Sequence, residues 1–429
     1  MLRIIVDKPK YLPKPRQLLH ASRSSRSGTM GESEGQIIGD GEVPSAKDFQ
    51  KLLANKVLKT QLITFLMNNF RNRALQTEMQ MNLILDSEDL SQPIIIRNKI
   101  ELLLPMLSNQ NGEADYNIWY HVKNTLSQNI LIVGNDTDIW VYGMALFEGG
   151  QLGNKQIRVE RVINAEYVDI NHIVDACNAH PALSRIPFPA NTLATIYLLT
   201  GGDYISHFYK TSKLTFVRAF INNFKHTCND GGLINMTSGD EGQAFDDINS
   251  DAWLKLVCTV YLLKHKTLFN SEPIESLHTS LQASQLSPQK QNLLKWLAYS
   301  GEESITNLSQ WHEFTRRVCF YHSSASKDHE YLLIPSSTAL KYHMLRCQYI
   351  IKVVYTSMQG QTLSGGIENY GWKDVNGKIQ ILWENEDFVN MHCTSKGCGC
   401  KGGCDGSKVW CKNCYRMCKP CTSKCKCKK

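Results

Sequence analysis

Ile130-Leu-Ile-Val-Gly-Asn-Asp-Thr-Asp138 is the stretch that decides the fold class of this chain. The run Ile130–Val133 is apolar without alternation, which predicts a strand buried on both faces. A glycine and two aspartates, Asp136 and Asp138, follow at its carboxyl end. Upstream, Ala114–Leu126 carries Ile118, His121 and Val122 at helical spacing, Gln92–Ile96 reads as a strand, and Met1–Val6 reads as a strand ending in Asp7. Downstream, Ile139–Leu146 is apolar again, Ile157–Ile163 and Tyr167–Ile170 are strand candidates, and Leu193–Leu199 leads into Thr200-Gly-Gly-Asp203. Strands alternating with helices predict an α/β fold with a mostly parallel sheet flanked by helices.

Acidic residues recur where these segments end or begin. Asp7 follows Ile4-Ile5-Val6, Glu113 and Asp115 open the helix at Ala114, Asp136 and Asp138 follow Val133, and Asp203 follows two glycines. In an open α/β sheet, ligands gather beyond the carboxyl ends of the strands. Carboxylates collected there supply the hard oxygen ligands of two Mg²⁺ or Mn²⁺ ions. Two such ions about 3.5–4 Å apart form a clamp for phosphodiester hydrolysis. Gly134, Gly201 and Gly202 would let a phosphate approach closely. Glu113 and Asp115, two residues apart, do not share a helix face and could serve one ion only from the first turn. The plainer reading is that helix dipoles favour acids at these positions.

The rest of the chain adds organisation. Among 429 residues, 42% are hydrophobic and 20% charged, enough to bury a core. The longest apolar runs, Leu193–Thr200 and Leu254–Leu263, fall well short of the roughly 18 residues of a membrane span. Met1–Asp7 is unlike a secretory signal. A membrane protein and a conventionally secreted protein are therefore not expected. A basic, proline-punctuated stretch with Lys14, Arg16 and Arg23 follows Asp7, and residues 22–46 read as a loop. Ser45 could cap a helix beginning near Phe49, with helix resuming through Leu62–Gln80. From about residue 210 the pattern is helical: Leu214–Asn223, Ala252–Lys264, Ser287–Tyr299, and a helix after Pro335-Ser-Ser337 with Leu340, Met344, Cys347, Ile351 and Val354 on one stripe. Trp372–Val375 and Lys378–Trp383 flank Asn376-Gly377, a hairpin signal. Cys177, Cys228, Cys258, Cys319 and Cys347 stand apart without ligand spacing and read as buried thiols in a reducing compartment.

The acidic motifs resemble those of the flap endonuclease/XPG-type 5′ nucleases, a branch of the PIN-domain superfamily. The matching stretches are Val6-Asp7-Lys8-Pro9-Lys10, Glu113-Ala114-Asp115, Asp136-Thr137-Asp138-Ile139 and Leu199-Thr200-Gly201-Gly202-Asp203-Tyr204. The third of these precedes an apolar strand in that family. The resemblance implies that Asp7, Glu113, Asp115, Asp136, Asp138 and Asp203 are the catalytic, Mg²⁺-binding carboxylates. It makes Lys14, Arg16 and Arg23 the counterparts of a basic helix that steers the scissile phosphate. Two features depart from it. The family's further metal-binding Asp, on a strand upstream of the position of Asp7, has no counterpart. The glycine-rich, potassium-binding hairpin that grips DNA is replaced by Ile205–Lys213, which holds no glycine. More narrowly, the chain resembles animal proteins linked to transposable elements that join such a domain to a Cys-rich tail. Glu113 through His121, Leu199–Phe208, Leu333–Leu340 through His343 and Arg346, and Gly371-Trp372 carry that likeness.

The tail is the most distinctive segment. From Cys393 to Lys429 there are ten Lys or Arg and one Asp, whereas the other 392 residues are nearly balanced. Ten of the 15 cysteines lie there: Cys393, Cys398, Cys400, Cys404, Cys411, Cys414, Cys418, Cys421, Cys425 and Cys427. With so few apolar residues, such a segment folds only when cross-linked. Thiolate binding of two or three Zn²⁺ ions would do this; a disulfide framework is the other solution. The tail resembles the CXC modules of tesmin/TSO1-type DNA-binding proteins. Its basic residues, Lys412, Arg416, Lys424 and Lys426 among them, would contact phosphates.

The expected organisation is a PIN/flap-endonuclease-like domain at 1–225, N-terminally truncated, a helical region at 226–365, a short β-hairpin and linker at 366–390, and a zinc module at 391–429. The expected protein is nuclear and binds nucleic acid, with DNA the leading candidate. Three functions compete: a metal-dependent, structure-selective nuclease tethered to DNA by its tail, a PIN-like domain that binds without cutting, and a chromatin or transcription adaptor whose tail is the active part.

Overall fold

The computed structural model describes residues 2–5, 49, 52–53, 55–87, 92–109, 113–163, 166–203, 205–228, 232–239, 242–264, 308–323, 332–361, 363, 366–376 and 378–382. Asp7, Lys14, Arg16, Arg23, the 22–46 loop, the start of a helix at Ser45, Ser287–Tyr299 and the whole cysteine tail lie outside them.

Strand β1 (Leu2–Ile5) opens the order and helix α1 (Lys56–Gln76) follows. Strands β2 (Leu83–Asp86), β3 (Ile94–Arg97) and β4 (Ile100–Leu103) then complete a four-stranded sheet in the order β1-β2-β3-β4. Leu2 pairs with Leu83 in parallel register, while β2–β3 and β3–β4 are antiparallel. Met67 and Ala74 of α1 pack on Leu83, Leu85, Ile94 and Ile96. Helix α2 (Ala114–Lys123) leads to strand β5 (Asn129–Val133), helix α3 (Thr137–Glu148), and strands β6 (Gln156–Arg161) and β7 (Glu166–Asp169). These strands form a second sheet in the order β5-β6-β7, parallel at β5–β6 and antiparallel at β6–β7.

The later elements are helix α4 (Ile170–Ala179), α5 (Pro189–Leu199), α6 (Lys213–Asn222), the short α7 (Phe224–Cys228), the hairpin β8 (Ile234–Gly239) and β9 (Gly242–Ile248), α8 (Ser250–Leu263), α9 (Leu308–Ser323), α10 (Ser337–Ser357), and the hairpin β10 (Trp372–Val375) and β11 (Lys378–Ile381). Helix starts follow capping chemistry: Asp136, Asp169, Ser212, Asn249 and Ser336 each accept a backbone N–H of the first turn with the side chain. One hydrophobic cluster extends from Tyr116 to Ile379, with Trp119, Phe216, Phe220 and Trp253 among its most buried members. All five dispersed cysteines are free and buried within the described residues.

The α/β class stands, with four corrections. The described sheets are mixed rather than mostly parallel, because β3, β4 and β7 return by short connections that only antiparallel pairing allows. Ile139–Leu146 and Leu193–Leu199 lie in helices, so Asp136 and Asp138 precede a helix, and Asp203 follows one. Both helices are buried over most of their circumference, and an apolar run of that kind carries no period to tell helix from strand. Strand β5 is not buried on both faces: Leu131 is 55% and Val133 60% exposed while Ile132 is 6% exposed. The region expected to be helical also contains the β8–β9 hairpin, whose polar Asn235, Thr237 and Asp247 obscure the strand pattern.

Candidate functional site

Helix α3 places the first two acids. Asp136 is its N-cap, accepting the Asp138 N–H at 3.0 Å, and Asp138 stands in the first turn. Asp136 is exposed and Asp138 half-buried. The turn after α5 places the third: Gly201 has φ +114, a conformation that L side chains rarely adopt, and a Cβ there would lie 2.7 Å from the His207 Cα. That turn delivers Asp203 to the surface near α3. Burial raises the Asp138 carboxyl above its ordinary pKa, the Asp136 charge adds to the rise, and Asp203 contributes in the same direction. The Lys213 ammonium and a hydrogen bond from Tyr197 oppose it.

Helix α2 brings the other pair. Glu113, 4% exposed, is its N-cap residue and Asp115 lies in the first turn. Tyr142 of α3 has its ring 5.5 Å from that of Tyr116 of α2. Burial pushes the Tyr142 phenol well above its usual pKa, and Tyr116, Asp138, Glu113 and Asp115 add to the rise. A negative phenolate is disfavoured by carboxylates from both helices. Asp138 and the Glu113–Asp115 pair thus act on one phenol, while Asp136 and Asp203 act on Asp138.

Sequence reasoning missed several residues here. Lys213, at the start of α6, donates its Nζ to the Gly201 carbonyl at 2.7 Å and the Tyr197 carbonyl at 2.9 Å, and lies 3.4 Å from the Tyr197 ring centroid. Burial lowers its pKa and Asp138 pulls it back up. Burial pushes the Tyr197 phenol up to about 12, with Asp138 adding to the rise. No sequence pattern announces Lys213. Asp86 was legible, since it follows Leu83-Ile-Leu as the other acids follow apolar runs. Asp86, 1% exposed, accepts Asn117 Nδ2 at 2.5 Å and lies 3.0 Å from His121 Nε2. Arg3 Nη1 reaches His121 Nδ1 at 3.2 Å and the His121 carbonyl at 2.8 Å. A guanidinium only donates and a carboxylate only accepts, so His121 is the neutral Nε2–H tautomer between them.

Helix α10 joins the remaining quoted stretches. His343 Nε2 donates to the Leu199 carbonyl at 2.6 Å, and its ring packs 5.1 Å from Phe208 and 5.9 Å from Trp253. Arg346 donates to the Gly371 carbonyl at 3.1 Å, and Tyr349 meets Tyr370 and Trp372 edge-on at 5.3 Å. Leu199, Phe208, His343, Arg346, Gly371 and Trp372 are therefore parts of one packed unit. At the other end of α5, Glu148 accepts the Ala190 and Asn191 N–H groups at 3.1 and 2.7 Å. The anion sits at the helix N-terminus and the Lys213 cation at its C-terminus, as the helix dipole favours.

Hard carboxylate oxygens repelling one another suit a divalent cation by chemistry. Among the described residues, however, no three His, Cys, Asp or Glu side chains are arranged around a common metal position. Asp136, Asp138 and Asp203 act on one another electrostatically but do not together form such a position. No helix among the described residues is long and apolar enough to cross a membrane. No protein-family model matches the chain, and neither does any curated protein.

Proposed function

We propose that this protein is a metal-dependent, structure-selective nuclease of the PIN-like, flap-endonuclease type, tethered to DNA in the nucleus by a basic zinc tail. The observation that carries the reading is that Asp136 and Asp203 both act on Asp138, which with Glu113 and Asp115 also acts on Tyr142. Mg²⁺ or Mn²⁺, when bound, would activate a water and neutralise phosphate charge. Asp136 is fixed by its capping bond to the Asp138 N–H, and open space beside Gly202 leaves room for a strand to approach. The test is cleavage of 5′-flap, single-stranded and duplex DNA with either ion. Asp138→Ala should reduce cleavage on the order of 10²–10³-fold or more. It should leave DNA binding equal or tighter, because a negative charge is removed. Cleavage retained by pure Asp138→Ala protein sinks the assignment.

A second reading is binding of nucleic acid without cutting, as a PIN-like or chromatin adaptor protein. It is favoured by the absence of a three-ligand metal group among the described residues and by Lys213 already facing Asp138. In this reading no substrate is cut with either ion, while binding persists.

Both readings use the tail. Residues 393–429 should bind two or three zinc ions and lose DNA affinity on chelation, because little besides metal–thiolate bonds can order them. That affinity should fall steeply with salt. Less than about one zinc per chain together with oxidised cysteines would replace the zinc module by a disulfide one.

A further inference from the structure

We propose that Lys213 is the positioning residue of the acidic cluster, a single ammonium that holds Asp203 and Asp138 in register with each other. Its two hydrogen bonds, to the Tyr197 and Gly201 carbonyls, tie the end of α5 and the following turn to α6. The Gly201 contact holds the peptide two residues before Asp203. The Tyr197 contacts, through backbone and ring face together, hold a phenol that is electrostatically linked to Asp138. The turn closes on itself through Gly202 N–H to the Ile205 carbonyl at 3.0 Å and Ile205 N–H to the Gly202 carbonyl at 3.4 Å. No other described side chain bonds both the Tyr197 and the Gly201 carbonyls.

The alternative is that Lys213 acts only as a local positive charge, and the sign of one effect separates the two. A bare positive charge beside carboxylates opposes an incoming cation, so removing it would tighten divalent-ion binding. Removing a residue that orients ligands weakens binding by about 10–100-fold. This consequence rests on the reading of the cluster as a cation site; the positioning itself does not.

The experiment uses the full chain and two measurements. Amide hydrogen exchange without added Mg²⁺ or Mn²⁺ should show Gly202 and Ile205 losing protection in Lys213→Met and keeping it in Lys213→Arg, which can still donate to two carbonyls. Unchanged protection in Lys213→Met overturns the proposal. Mn²⁺ titration followed by water-proton relaxation should show about tenfold or weaker binding in Lys213→Met with recovery in Lys213→Arg. Where Asp138→Asn weakens Mn²⁺ binding, equal or tighter binding by Lys213→Met also overturns it. Asp138→Asn serves as the control for the site. If wild type and Asp138→Asn bind Mn²⁺ alike, the cation-site reading fails, and the exchange result alone decides the role of Lys213.

Discussion

Asp86→Ala is expected to lower the unfolding free energy by about 3–5 kcal/mol, the usual consequence of removing one partner from a buried ionic arrangement. Asp86 and His121 are each 1% exposed, and Arg3 reaches the same imidazole from β1. Truncating the carboxylate removes the acceptor of Asn117 Nδ2 and of the His121 ring, and leaves the Arg3 charge facing a neutral ring inside the protein. A lost buried hydrogen bond costs more than the bond contributes, because its former partner stays desolvated. Asn117 also accepts from Asn109, so the disturbance reaches the approach to α2 and the Glu113–Asp115 pair. Urea unfolding of Asp86→Ala and Asp86→Asn measures it, with the second variant expected to lose less. A drop below about 1 kcal/mol for Asp86→Ala would show that the arrangement does little for stability.

The second large effect depends on pH. His343 donates to the Leu199 carbonyl as a neutral ring, and burial lowers its pKa from 6.5 to about 4; Arg346 and His207 push the same way. In the unfolded chain the imidazole takes up a proton near pH 6.5. Between pH 6.5 and about 4 the unfolded state therefore binds more protons, and the stability due to this group falls as the pH falls. It is complete above pH 6.5, and the loss by pH 4 amounts to about 3 kcal/mol. His312 is lowered by burial too and acts in the same direction. A comparison with His343→Gln isolates the effect, since glutamine can donate to Leu199 without titrating. Urea unfolding at pH 7 and pH 4.5 should show wild type losing more stability than the variant. Identical losses would place the acid sensitivity elsewhere.

What the sequence made legible follows from which signals are local. The cap at Ser336, the strands around Ile130, Ile157 and Tyr167, the Asn376 turn and the buried thiols need only near neighbours to be read. Asp136, Asp138 and Asp203 stand out in the sequence because each borders an apolar run. The runs themselves were harder to read. Helices α3 and α5 are apolar on nearly every side, so their residue types do not distinguish them from strands. Strands β2 and β4 are four residues long, too short to show a period. Lys213 could not be found at all. Its importance comes from two backbone carbonyls of another helix, and backbone acceptors leave no mark on a sequence.

Arg3 and His121 are 118 residues apart, and β1 pairs with a strand some 80 residues further on. At about 5–20 residues per second, a ribosome needs roughly 6–24 s between making Arg3 and making His121. Through that interval the guanidinium has no imidazole to meet, and Leu2–Ile5 has a β-strand pattern without its parallel neighbour until β2 emerges. The tie between β1 and α2 therefore forms late, and folding of this part of the chain is governed by long-range closure rather than by local helix formation. Slower or paused synthesis lengthens the exposure of this strand to other chains, so the yield of folded protein should respond to translation speed between residues 5 and 121.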